Sequence, residues 1–286
     1  VLGYDTPFLD IGPTRTYGSL VEVKEAVKKC GERIAVEGLP ELLCPMVMGF
    51  TGYGNVSQGA QEIFDLMPHV EIEPRELEAF VDGNKGLTHK LAKVVYKEEH
   101  LVEPIDSGRP FELQDYYDNP DGYRSVFEPH LKLLSVIING IYWEERYPKF
   151  ADADSFKVLF KDNPNPRLIA VGDITCDVDG SFACTVRDTD LGDPVYVYDP
   201  KTRQAPSGFT GPGVSVMAVG NLPAELPREA SLTFSTALKP FIDSLADLDL
   251  RGSFEKAVLP KPIRDAVILW RGEFTPKYNY MQEFLR

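Results

Sequence analysis

The chain has 286 residues, 43% hydrophobic and 26% charged, and 44 acidic against 30 basic side chains give it a net charge of −14. That length and apolar content allow one large domain or two ordinary ones with a sizeable core. The acidity excludes a general nucleic-acid binder or a ligand of anionic membranes, both of which need a basic face, and no apolar run approaches the roughly 18 residues of a membrane-spanning helix.

The four cysteines, Cys30, Cys44, Cys176 and Cys184, show no C-x-x-C spacing, and the four histidines are equally scattered. A disulfide framework and a zinc or other metal site are therefore not expected. The thiols point to a reducing intracellular compartment, cytoplasm or mitochondrial matrix.

The chain opens on VLGYDTPFLDIGP, without methionine, and reads as part of something longer. Ser19-Leu20-Val21-Glu22 matches a capping box. Apolar Leu20, Val23, Val27 and Cys30 follow at helical spacing, and Gly31 is expected to stop that helix.

The segment 44–74 is the richest in signals. An apolar strand (46–50) meets the glycine turn Gly52-Tyr53-Gly54. A helix over 57–67 follows, with Gly59-Ala60 near its start, and then a strand-like run ending on Glu73. Strand, glycine turn, helix, strand and acid is the layout of a dinucleotide-binding βαβ unit. Gly52 permits the tight turn. Gly54 lets the backbone approach a pyrophosphate, and Gly59-Ala60 lets the helix lie close on the sheet. The helix start presents free N–H groups to the phosphates. Glu73, about 20 residues on, suits a ribose hydroxyl. Ser57 stands where the third glycine of the motif belongs. A plain strand-to-helix turn using glycine for its positive φ is the alternative reading.

Residues 73–97, rich in Glu, Leu, Ala and Lys, are expected to be mainly helical. Residues 98–130 carry turn chemistry (Arg109-Pro110, Asn119-Pro120, Asp121-Gly122) and form a surface excursion, anchored by Phe111, Tyr116, Tyr117, Tyr123 and Phe127. Three near-continuous apolar runs, 133–142, 167–174 and 214–219, read as strands buried on both faces, and 194–198 as an edge strand. The expected fold is α/β, Rossmann-type, with a mainly parallel sheet, helices on both faces and a C-terminal helical return. The expected divisions are a linker and helix (1–37), a dinucleotide-binding domain (38–230) and C-terminal helices (231–286). Ligand should sit beyond the carboxyl ends of the strands.

Three blocks in order, INGIYW (138–143), DITCD (173–177) and NLPAELPREAS (221–231), make the reading more specific. They resemble the lysine–2-oxoglutarate reductase region of the bifunctional enzyme that degrades lysine through saccharopine. They also resemble the monofunctional saccharopine dehydrogenase that forms lysine. Both belong to the alanine dehydrogenase/transhydrogenase group. The likeness runs from Thr6-Pro7-Phe8 to Tyr278-Asn279-Tyr280.

The resemblance implies an oxidoreductase that reductively condenses L-lysine with 2-oxoglutarate to saccharopine. The alternatives are a non-catalytic nucleotide-binding module or an NAD-dependent, lysine-forming saccharopine dehydrogenase. By position in the motifs, Gly52, Gly54 and Asn55 match the phosphate turn, and Glu73 the acid near the adenosine ribose. Tyr142 and Ile174 match cofactor contacts at strand ends, and Val219, Gly220, Asn221 and Leu222 the segment beside the nicotinamide ribose. Thr175, Cys176 and Asp177 match the loop facing the amino-acid substrate, although family members often have Ser-Ala-Asp there. NADP is the expected cofactor, with Arg75 turned to its 2′-phosphate; NAD is the alternative, favoured by the carboxylate of Glu73. The family's lysine and histidine acid/base pair and its carboxylate-binding arginines belong to a domain that precedes the region matched here. No catalytic residue is therefore assigned. That N-terminal domain, and possibly a fused saccharopine dehydrogenase domain, are the expected partners within the full protein.

Overall fold

The computed structural model describes residues 3–106 and 108–285; Val1, Leu2, Ser107 and Arg286 lie outside the described residues. In chain order the elements are α1 (Leu20–Glu37), β1 (Val47–Thr51), α2 (Asn55–Phe64), β2 (His69–Glu71), α3 (Leu77–Gly83), β3 (Leu91–Tyr96), α4 (Glu98–Leu101), β4 (Val102–Pro104), α5 (Leu113–Asp118), β5 (Tyr123–Ser125) and β6 (Val136–Asn139). Then come α6 (Ala153–Leu159), β7 (Ala170–Asp173), β8 (Val195–Tyr198), β9 (Val214–Met217), α7 (Pro227–Leu238), α8 (Ile242–Ala246), α9 (Lys261–Ala266), β10 (Leu269–Trp270) and β11 (Glu273–Phe274). The chain divides into two units between Glu225 and Leu226.

The first unit is built on a seven-stranded sheet in the order β2-β3-β1-β6-β7-β9-β8. Every neighbouring pair is parallel except β8 with β9. Side chains alternate across it as strand geometry requires. Met46, Met48 and Phe50 join Val136 and Ile138 on one face, against Val27, Cys30 and Ile34 of α1 and Phe64 of α2. Val47, Val94, Ile137 and Val171 pack on the other, against Leu77 and Val81 of α3 and Phe156 of α6. Covered faces explain why these strands read as continuous apolar runs. The architecture is thus α/β, a mainly parallel sheet with helices on both faces.

The 98–130 excursion contributes to the second face. Tyr116, Tyr123 and Phe127 are buried in that core, and β4 and β5 form a small antiparallel ribbon there. Its aromatics serve burial.

Two local expectations are corrected. α1 does not stop at Gly31; it runs to Glu37 and ends at Gly38, whose φ of 77° supplies the turn. Gly31 is instead a close-approach residue: a Cβ there would lie 3.0 Å from the Met67 Cα and 3.1 Å from the Pro68 Cδ. Residues 73–97 are not mainly helical, since β3 lies within them and pairs directly with β1. Its helix-forming composition misleads because Lys93 is buried in the strand. The Lys93 ammonium lies 2.7 Å from Asp65 and 3.3 Å from Glu71, which satisfies a charge that would otherwise oppose burial. The β-branched pair Val94-Val95 was the signal for a strand.

The second unit contains α7–α9 and the hairpin β10–β11. Arg271 and Gly272, both at positive φ (53° and 90°), make its two-residue turn. Trp270 is its main buried aromatic, 5.8 Å from the Phe254 ring. Pro227 opens α7 in the first turn, where its missing N–H costs nothing.

Candidate functional site

The parallel strands bring their carboxyl ends to one edge: Tyr96 of β3, Thr51 of β1, Asn139 of β6, Asp173 of β7 and Met217 of β9. At that edge β1 runs into the glycine turn. Gly52 has φ 84°, and its N–H donates to the Tyr96 carbonyl at 2.8 Å. A Cβ on Gly52 would meet the Ile141 Cα at 3.0 Å, so both conformation and space require glycine. Gly54 then caps α2 without a side-chain acceptor. The first intrahelical bond is Gln58 N–H to the Gly54 carbonyl, 2.9 Å, which leaves the amides of Asn55, Val56 and Ser57 free to hold an anion. Space around the Gly54 Cβ position is open for 4 Å. These bare amides at the helix start, with no side chain at Gly54 beside them, fit the phosphates of a dinucleotide.

The close packing of α2 is achieved differently from expectation. Gly59 is exposed and has nothing near its Cβ position, so it contributes no close approach. Gly140 does: a Cβ there would meet Val56 Cγ1 at 3.2 Å and the Ser57 amide nitrogen at 3.3 Å. Ser57 is buried and accepts from the Gln61 amide at 3.0 Å. The third glycine of the motif is therefore replaced in function by a glycine directly after the neighbouring strand.

A buried polar chain crosses the same edge. Thr51 Oγ1 donates to Asn139 Oδ1 at 2.6 Å. Asn139 Nδ2 reaches Asp173 Oδ1 at 2.9 Å, Ser181 Oγ at 3.0 Å and Thr175 Oγ1 at 3.3 Å. Asp173 also accepts from the Thr175 hydroxyl (2.7 Å), the Thr175 amide (3.2 Å) and the Thr185 hydroxyl (2.5 Å). Thr51, Asn139, Asp173, Ser181 and Thr185 are each at most 1% exposed. Sequence reasoning missed this set, although Asn139 and Asp173 lie in the quoted blocks. A polar residue closing an apolar strand was the available signal.

The loop after β7 rests on this chain. Cys176 (φ 58°) and Asp179 (φ 52°) occupy the left-handed region, at a cost of about 1–2 kcal/mol each for a residue with a Cβ. Gly180 closes so tightly that a Cβ would lie 2.5 Å from the Asp177 Cβ. Burial raises the Asp177 carboxyl, the Thr175 hydroxyl opposes the shift, and nearby Asp173 adds to it. Asp177 also lines a cleft of about 600 Å³ with Trp143, Glu144, Glu145, Lys149 and Asp179.

The remaining expected residues spread along this edge. Tyr142 is exposed, its hydroxyl donating to the Glu144 carboxylate. The Ile174 amide donates to the Asn139 carbonyl at 2.9 Å. Val219 is buried beyond β9, and Gly220 follows with open space at its Cβ position. Asn221 is exposed, and Leu222 starts a short 3-10 turn.

Glu73 and Arg75 follow β2, which β3 separates from β1. Glu73 lines a polar cavity of about 270 Å³ with Glu71, Glu76, Lys93, Lys97, Glu99 and His100, which Arg75 does not line. Partial burial lowers the His100 imidazole, and Glu99 and Glu73 oppose the shift. Glu98, the first residue of α4, accepts from the Tyr117 hydroxyl at 2.9 Å and raises the phenol of Tyr53 in the glycine turn. It thereby ties the excursion to the turn. On the sheet flank, Asp65, His69 and Glu71 bring ligand-type atoms within 4.8 Å of one another, but the Lys93 ammonium already pairs with both carboxylates.

Cys176 is the one half-exposed thiol; Cys30, Cys44 and Cys184 are buried. Burial pushes its thiol up to about 11, with Asp173, Asp177 and Asp188 adding to the shift. A thiol pushed up that far holds very little thiolate near neutral pH. Alkylation of native protein by iodoacetamide at pH 8 should therefore be about tenfold slower than that of a free thiol, since the higher basicity of the thiolate offsets part of its scarcity, and should rise with pH. Rapid labelling of Cys176 at pH 8 would contradict this electrostatic account.

Comparison with known proteins adds relatives. No family model matches the chain. It is 38% identical over 291 residues to alpha-aminoadipic semialdehyde synthase of Arabidopsis thaliana, covering 98% of this chain and 27% of that protein. It is 32% identical to the mitochondrial alpha-aminoadipic semialdehyde synthase of Mus musculus, over 99% of this chain and 32% of that protein. A saccharopine dehydrogenase [NAD(+), L-lysine-forming] of Schizosaccharomyces pombe is 32% identical over 40% of this chain and 28% of its own length. The chain thus spans about a third or less of these relatives. Over nearly its whole length, this chain is a homologue of one segment of the alpha-aminoadipic semialdehyde synthases.

Proposed function

We propose that this chain is the NADP(H)-binding part of an oxidoreductase that joins L-lysine and 2-oxoglutarate to give saccharopine. The observation that carries the reading is the convergence, on one sheet edge, of a bare-amide glycine turn, the 174–177 loop and the 219–222 segment. Relatives named for semialdehyde synthesis and for saccharopine oxidation support the substrate class.

Each part has a physical task in this reading. Gly52, Gly54 and the amides of Asn55, Val56 and Ser57 would hold the pyrophosphate. Tyr142, Ile174 and Val219 to Leu222 would flank the nicotinamide half. When bound, the nicotinamide would supply the hydride that reduces the imine of lysine and 2-oxoglutarate. The 600 Å³ cleft is lined by Glu144, Glu145, Asp177 and Asp179 with one cation, Lys149, which pairs with Asp179 at 2.7 Å, and the remaining acidic excess suits the ammonium groups of lysine. Thr175, Cys176 and Asp177 would face that substrate. The dianion 2-oxoglutarate needs cations, and in this reading a further domain of the whole protein supplies them, together with the acid and base. A reducing compartment is proposed too, cytoplasm or mitochondrial matrix; the mouse relative is named mitochondrial.

For the cofactor, the adenosine ribose should lie toward the strand beside β1, and that strand is β3. Lys97 and His100 follow β3 and line the cavity with Glu73; Lys97 offers a cation to a 2′-phosphate, and His100, its imidazole lowered by burial, offers a neutral N–H donor. Arg75 remains the other candidate. Fluorescence titration should show NADPH binding more tightly than NADH. Lys97→Ala should narrow that preference about tenfold, and Arg75→Ala should reveal any share of its own. The chain by itself should show no turnover with lysine, 2-oxoglutarate and NADPH. Tighter NADH binding, unchanged by either substitution, would sink the NADP assignment. Turnover by the chain alone would place the acid and base within it.

A further inference from the structure

The polar chain Thr51–Asn139–Asp173–Thr185 joins three strand ends to the loop carrying Thr175, Cys176 and Asp177. Asp173 is a carboxylate 1% exposed, with no cation among its partners in the described residues; hydroxyls and amides hold it instead. Such a group is costly to bury unless every lone pair is occupied, so its partners are held in fixed places. The loop it touches is a poor candidate for self-stabilisation. Two of its residues with side chains are at φ 58° and 52°, and Gly180 admits no Cβ. Strained backbone persists where surroundings over-determine it. Thr175 and Thr185 bracket that strained segment, and both donate to Asp173. The opposite end of the chain is Thr51, the residue before Gly52 of the glycine turn.

We propose that Asn139, Asp173 and Thr185 are positioning residues, which hold the 174–180 loop in its strained conformation and at a fixed height above the glycine turn. This rests on the functional reading above for what the loop faces. The network acts through Thr175 and Asp177 and itself touches neither substrate nor cofactor.

The test uses Thr185→Val, which deletes a hydroxyl without changing charge or shape, and Thr185→Ser, which restores the donor. Ile34→Val in α1 serves as a remote destabilised control. Hydrogen–deuterium exchange of the 174–180 segment and fluorescence titration with NADPH are measured on the whole chain. Thr185→Val should raise loop exchange about tenfold and weaken NADPH about fivefold. Thr185→Ser should match the wild type in both, and Ile34→Val should alter neither. Unchanged loop exchange in Thr185→Val overturns the proposal, as does faster exchange with unaltered NADPH affinity, which marks a purely structural role. If the wild type binds no NADPH, the functional reading fails, and loop exchange with its serine rescue alone decides the positioning role.

Discussion

Gly54→Val should abolish dinucleotide binding and leave the fold intact. The two effects separate because the Gly54 Cβ position is open for 4 Å and its backbone (φ −75°, ψ −177°) is accessible to any residue. A Cβ there meets no protein atom within 4 Å, and loss of a glycine N-cap costs roughly 0.5–1 kcal/mol. The isopropyl group would instead fill the space in front of the amides of Asn55, Val56 and Ser57, where a pyrophosphate must sit. Denying the phosphates those N–H groups should weaken NADPH at least about 100-fold, equivalent to about 2.7 kcal/mol. Fluorescence titration reads the affinity, and a thermal melt reads the fold. Wild-type affinity in Gly54→Val would remove the glycine turn from the cofactor site and leave it as a plain strand-to-helix connection.

Gly213→Ala should have the opposite profile. A Cβ at Gly213 would lie 1.9 Å from the Tyr198 carbonyl oxygen and 2.7 Å from its carbon. Those are backbone atoms of β8, so no side-chain rotation relieves the clash. Gly213 directly precedes β9, whose Val214 pairs with Tyr198. The β8–β9 ladder must therefore open or shift, and Tyr196 and Tyr198, both essentially buried, lose their packing with it. The expected cost is about 3 kcal/mol or more, among the larger effects of a single substitution. For a unit of this size that corresponds to a drop of roughly 6–12 °C in melting temperature. Urea unfolding of Gly213→Ala that coincides with the wild type would show that β8 does not lie where its contacts imply.

Much of the local structure was legible in the chain. The Ser19 cap accepts from the Glu22 amide at 3.4 Å, and the Glu22 carboxylate accepts from the Gly18 N–H at 2.9 Å, one residue earlier than the motif implies. The strands 136–139, 170–173 and 214–217 fall inside runs recognised by continuous apolarity, 47–51 overlaps the apolar run 46–50 and passes it by one residue, and 195–198 is the edge strand its shorter run suggested. These features depend on residues within a few positions of one another, so periodicity, caps and turn residues suffice to find them. The glycine turn was equally plain, because Gly52 answers a purely local demand for positive φ.

The sequence by itself therefore determined the α/β class, the glycine turn, the strand ends that carry the candidate site and the kinship with lysine-metabolising enzymes. Only the tertiary structure decided the order of the strands. β3 inserts between β1 and β2, so the strand end beside the glycine turn is Tyr96, with Lys97 and Glu98 after it, and not the run ending on Glu73. It also turned Gly31 from a helix stop into a contact, gave Gly140 the close approach expected of Gly59-Ala60, and assembled Thr51, Asn139, Asp173 and Thr185 into one network. The reason is common to all of these. Strand order, close approach and the satisfaction of buried polar groups are set by pairings between residues from 12 to 88 positions apart, whereas spacing rules describe only what close neighbours along the chain impose.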